Sequence, residues 1–325
     1  MSFRRCVPPR SVPALRALAA VTVGGTVLAL ILGGAAPGEG FPATASPPQH
    51  DSAVADARAF DPGYILSDDV LSDSRSLTET QVQAFIAEQA PGCAFTSATT
   101  CLRAYRSEIP AQPASVSGQC SALNGESGVL ASRIVFRVAR ACLINPKVLL
   151  VMLQKEQGLI TAVSPTDRAY RVAMGYGCPD SAACDTGFYG FADQVYQAAK
   201  QLRSYLLDPG YWRYQVGPVE VKFGPESSCG AAVVNIRNQA TAALYNYTPY
   251  QPNAAALANP HGQGDACSSY GNRNFWVFFT EWFGSPNPSA QHSDTTVRLL
   301  IRECSEGRRA PEGTDRSVLL HRNEP

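Results

Sequence analysis

The sequence predicts a mainly α-helical domain with one small β-sheet, an α+β fold stapled by disulfides. Three observations carry this. Apolar residues recur at helical spacing in several windows between residues 76 and 283, strict alternation is confined to the neighbourhood of Val219-Glu-Val-Lys-Phe223, and eight cysteines fall within residues 93–267.

Residues 1–45 read as an export signal. Arg4, Arg5, Arg10 and Arg16 make a positive start, residues 17–36 are uncharged and largely apolar, and Ala43-Thr44-Ala45 offers a small-residue cleavage site. An apolar run of 20 residues is also long enough to span a bilayer, so cleavage is the first expectation and retention as a membrane anchor the second. Residues 46–59 read as a linker and residues 285–325 as a disordered polar tail, leaving one domain over 60–284. That is large enough for a single well-buried core.

Within the domain, Ser76-Leu-Thr-Glu79 has the form of a capping box opening a helix to about residue 88, with Val82, Phe85 and Ile86 as its apolar stripe. Leu130, Ile134, Val135 and Val138 predict a second helix over 126–141. A third follows at once. Asn145 can cap it, Pro146 suits its first position, and Gly158 can end it with positive φ. A fourth is expected over 190–207, with Phe191, Val195, Ala198, Leu202 and Tyr205 on one side. Residues 219–223 alternate apolar and polar, residues 231–234 can pair with them as a small sheet, and helices resume over 236–245 and 272–283.

The third helix is the informative one. Residues 148–153 are apolar on every face, so it must be buried on all sides, and it delivers Glu156 to the point where the chain leaves the core. The negative end of the helix and the adjacent apolar surface both disfavour an ionised carboxylate there. A carboxylic acid kept protonated is what general-acid cleavage of a glycosidic bond requires. The structural alternative is a solvated glutamate at a helix end.

Eight cysteines permit 105 pairings; sequential pairing closes the shortest loops and gives Cys93–Cys101, Cys120–Cys142, Cys178–Cys184 and Cys229–Cys267. Cys6 falls in the signal and Cys304 in the tail. No Cys-x-x-Cys occurs and the four histidines are scattered, so no metal site or cofactor is expected. Without residues 1–45 the chain has 23 basic against 26 acidic residues and no basic face, which argues against nucleic acid as a partner. Gly125-Glu-Ser-Gly128 is not a serine-hydrolase elbow, no His-Glu-x-x-His motif is present, and a cysteine peptidase using His261 would need a free thiol.

The apolar helix ending in Lys155-Glu-Gln-Gly158 resembles the helix that carries the catalytic glutamate of the lysozyme-like superfamily, in particular soluble lytic transglycosylases and goose-type lysozymes. The loop over 170–180, with Ala173-Met174-Gly175, is similar to the Gly-Leu-Met-Gln segment that lines the cleft in lytic transglycosylases; the resemblance implies Met174 and Tyr176 as substrate contacts. Tyr245, Asn246, Tyr247 and Tyr250 cluster later, where rings and amides can bind sugars, and the resemblance implies a tyrosine from this segment beside the acid. From end to end, residues 60–284 also resemble exported actinobacterial proteins labelled hemagglutinin-like, with Phe60-Asp-Pro-Gly-Tyr-Ile and Tyr270-Gly-Asn-Arg-Asn-Phe-Trp276 as landmarks.

These resemblances imply an exported, monomeric glycosidase acting on peptidoglycan, either a muramidase or a lytic transglycosylase, with Glu156 as general acid and base. A second carboxylate, from Asp180, Asp185 or Asp193, would favour hydrolysis. The alternative is a non-catalytic module or adhesin on the same fold, holding peptidoglycan or another cell-surface glycan.

Overall fold

The computed structural model describes residues 55–93, 100–179 and 182–288. The expected export signal, Cys6, Asp180, Cys304 and most of the expected tail lie outside the described residues.

The described chain is mostly helical, as the sequence predicts, with two small antiparallel sheets where one was expected. In order come α1 (Asp68–Ser72), α2 (Glu79–Gln89), β1 (Arg106–Ile109), β2 (Glu126–Leu130), α3 (Ala131–Cys142), α4 (Pro146–Gln157), α5 (Asp167–Arg171) and α6 (Phe191–Leu207). Then follow β3 (Gly217–Lys222), β4 (Ala231–Ile236), α7 (Gln239–Tyr247), α8 (Ala254–Ala258) and α9 (Gly271–Phe283). β3 pairs with β4 in unbroken register from Gly217 opposite Ile236 to Lys222 opposite Ala231. The cysteines pair in sequence order, 93 with 101, 120 with 142, 178 with 184 and 229 with 267. Among the described residues no helix is long and apolar enough to cross a membrane.

Helix α4 is the hub. Val148, Leu149, Leu150, Val151, Met152 and Leu153 are all fully buried, with α9 packed along one side and α3 against another. Each such side chain contributes roughly 1.5–3 kcal/mol by leaving water. The helix starts where it does because Asn145 Oδ1 accepts from the Lys147 N–H at 2.9 Å, and it stops where Gly158 turns to φ 65°. Asn145 does more than cap. It is buried, accepts from Ser76 Oγ at 2.5 Å and donates to the Val70 carbonyl at 2.7 Å, tying α4 to the segments around α1 and α2.

The structure departs from expectation in three places. The capping box of α2 is Thr78 with Gln81 rather than Ser76 with Glu79. Ser76 is spent on Asn145, and Glu79 pairs with Arg133 at 2.9 Å. Residues 126–130 form a strand opposite β1, so α3 begins only at Ala131. Gly128 at φ 65° is incompatible with helix there, and Leu130 extended the apolar period by coincidence. Lastly, the packed chain reaches beyond 60–284: Ala55 and Ala57 are buried, and the Pro286 carbonyl accepts from the Ser67 N–H at 3.1 Å.

Replacing Asn145 by alanine removes a helix cap and leaves the Val70 carbonyl and the Ser76 hydroxyl short of a partner. The expected loss is about 3 kcal/mol of unfolding free energy, read as a lower urea midpoint with an unchanged slope. A loss under about 1 kcal/mol would mean that this node does not hold α4 in place.

Candidate functional site

At its C-terminal end α4 turns two adjacent charged residues toward one place. The Lys155 side chain is only 4% exposed, although lysine is rarely buried without a partner, and Glu156 beside it is 23% exposed. Lys155 Nζ donates to Glu156 Oε1 and to Thr248 Oγ1 at 3.0 Å, and it lies 5.6 Å from the centre of the Tyr247 ring. Glu156 is therefore half of an ion pair rather than the lone acid the sequence suggested.

The other carboxylate oxygen, Oε2, rests against the loop after α5. A Cβ added at Gly175 would stand 3.1 Å from it, and Gly175 itself adopts φ 67°. Glycine is needed there for both reasons. Gln194, fully buried on α6, holds this loop. Its Oε1 accepts from the N–H groups of Met174 and Tyr176 at 3.1 Å each, and its Nε2 donates to the carbonyls of Tyr176 at 2.9 Å and Phe188 at 2.7 Å. From the other side the Tyr247 hydroxyl donates to the Met174 carbonyl at 2.8 Å. Burial pushes the Tyr247 phenol well above its ordinary pKa, with the charge of Glu156 adding to the effect.

An open cleft of about 370 Å³ lies along this loop, walled by Gly175, Tyr176, Pro179, Tyr205, Trp212 and Tyr247. Tyr205 meets Trp212 edge to face at 4.7 Å, and burial raises the Tyr205 phenol to about 12. The surface thus offers aromatic faces and the Gln201 amide; Glu156 Oε2 lies against Gly175, one of the lining residues, and is not itself part of the wall. Such a surface suits a ligand with apolar ring or chain faces and N–H or O–H donors.

Of the residues singled out from sequence, Tyr176 and Tyr247 line the cleft. Met174 is buried and presents only its backbone. Tyr245 is in the core, its hydroxyl donating to the Pro62 carbonyl at 3.0 Å. Asn246 is spent on Tyr214, accepting from its N–H at 3.0 Å and donating to its carbonyl at 2.8 Å. Tyr250 sits beside β3, bridging to Lys222. Asp185 caps a short turn by accepting from the Gly187 N–H at 2.9 Å, and Asp193, whose carboxyl burial pushes up with help from Glu108, lies next to Gly190. Sequence reasoning missed Lys155, Gln194, Tyr205 and Trp212 as site residues. A glutamine within the apolar stripe of α6 was the available signal.

Fold and site together define a disulfide-stapled, helical domain built around an aromatic cleft. The chain belongs to the LasA N-terminal domain family, whose model matches residues 64–294. That family is secreted and peptidase-related, in agreement with an extracytoplasmic location. No curated protein and no solved structure matches the chain. The match lends no support to the hemagglutinin-like and lysozyme-like resemblances, and it overturns the glycosidase reading, muramidase and transglycosylase alike. Among the described residues no group of three or more His, Cys, Asp or Glu is disposed to hold a metal ion.

Glu156→Gln strands a buried ammonium, so it should cost about 2–4 kcal/mol in urea unfolding, whereas the Lys155→Met, Glu156→Gln double variant should recover most of that loss. Additive losses in the two single variants and the double would show that the pair is not coupled.

Proposed function

We propose that this chain is an extracytoplasmic cell-wall recognition domain that holds peptidoglycan in the cleft at the end of α4. The observation that carries the reading is the aromatic lining of the cleft, with Tyr176, Tyr205, Trp212 and Tyr247, in a member of a family whose proteins act on peptidoglycan. Ring faces would cover the apolar faces of the polymer, and the Gln201 amide would take up its donors. The site is held rigid before binding. Gln194 and Tyr247 fix the loop over 174–176, Lys155 fixes Glu156, and the Cys178–Cys184 bridge closes the loop just beyond. Such preorganisation reduces the ordering cost of association. A single domain, acting as a monomer, is sufficient for this role.

The test is co-sedimentation of the protein with insoluble peptidoglycan over a range of wall concentrations. The parent should pellet with the wall. Trp212→Ala and Tyr176→Ala should each weaken binding about tenfold, the scale of one lost stacking contact, while thermal unfolding confirms that both variants remain folded. A parent that stays in the supernatant, or folded variants that bind as well as the parent, would refute the assignment.

A further inference from the structure

A second cavity, of about 350 Å³, shares no lining residue with the first and is walled by Tyr105, Asp167, Tyr170, Arg171, Gly190 and Phe191. Its aromatic walls form one packed unit. Tyr105 and Tyr170 stack at 3.7 Å with nearly parallel rings, and Phe191 stands edge-on to both at 5.5 and 6.1 Å. The Tyr170 hydroxyl donates to the Thr100 carbonyl at 2.5 Å, which fixes the stack in place.

Two exposed, opposite charges border the same cavity. Asp167 and Arg171 open and close α5, whose N-cap Thr166 accepts from the Ala169 N–H at 3.2 Å. Four helical residues rise about 6 Å. Oppositely charged residues at this spacing commonly pair with each other, yet among the described residues neither side chain has an ion-pair or hydrogen-bond partner. The two residues thus stand one helical turn apart on α5, both bordering the aromatic walls of the cavity.

We propose that this cavity binds a short zwitterionic peptide. Its free ammonium meets Asp167 and its free carboxylate meets the Arg171 guanidinium, which is suited to a bidentate carboxylate contact. The peptide's small side chains lie against Tyr105 and Phe191. A lone organic cation would satisfy Asp167 but leave Arg171 unused, and an anion would do the reverse, so the pairing of charges selects a ligand with both. The assignment does not depend on what the cleft lined by Tyr176 and Trp212 holds.

The experiment is a titration of the protein with dialanine, followed by backbone amide shifts in nuclear magnetic resonance. Acetyl-dialanine, which lacks the ammonium, and dialanine amide, which lacks the carboxylate, serve as the paired probes. Dialanine should shift amides in residues 105, 167–171 and 190–191, and each blocked analogue should bind about tenfold more weakly. Asp167→Asn should abolish the preference for the free ammonium and Arg171→Gln the preference for the free carboxylate; both positions are exposed, so neither variant threatens the fold. No shifts at these residues, or blocked analogues that bind as well as dialanine, would overturn the assignment.

Discussion

The constraint on which the molecule depends is the complete burial of the middle of α4, residues 148–153. A helix with Val148 to Leu153 apolar on every face can exist in water only if other elements enclose it, and α3 and α9 do so directly. Its two ends are therefore fixed by the surroundings rather than by the helix itself. Asn145 binds the first end to Ser76 and Val70, and Gly158 releases the chain at the second. Because the core holds the body of α4 rigidly, the residues on its last turn are positioned as firmly as the core.

Lys155 and Glu156 inherit that rigidity. A lysine driven this far out of water is tolerable because Glu156, Thr248 and the ring of Tyr247 all face it. The same contacts draw α7 and the loop over 174–179 toward the end of α4. Gln194 completes the arrangement from α6 by satisfying four backbone groups that a buried loop would otherwise leave without partners. A cleft assembled in this way is formed before any ligand arrives, and its aromatic wall is a consequence of how the loop is anchored.

The fold was largely legible because its strongest signals are local. The cap, the proline and the closing glycine of α4 and the alternation within residues 219–223 each sit within a dozen or so residues. The β1–β2 pairing was not legible. It rests on contacts between residues about 20 apart in sequence, and Leu130 lies in phase with the helix that follows. The site was legible only in part. Glu156 drew attention by type and position, but its partner is the neighbouring Lys155, and adjacent residues on a helix do not usually face each other. Tyr245 and Tyr247 are two apart in α7, and spacing alone could not say which enters the core and which reaches the cleft. The chemistry inferred from a resemblance at the end of α4 gave way to the family of the chain as a whole.

The central claim is that the end of α4 is where the cell wall is held, and hydrogen exchange of the protein with and without soluble peptidoglycan fragments tests it most directly. Binding in the cleft predicts slower exchange in residues 174–179 and 205–212, with the interior of α4 unchanged because it is already protected. Protection confined to other segments, or no change under conditions where the fragments are bound, would contradict the account.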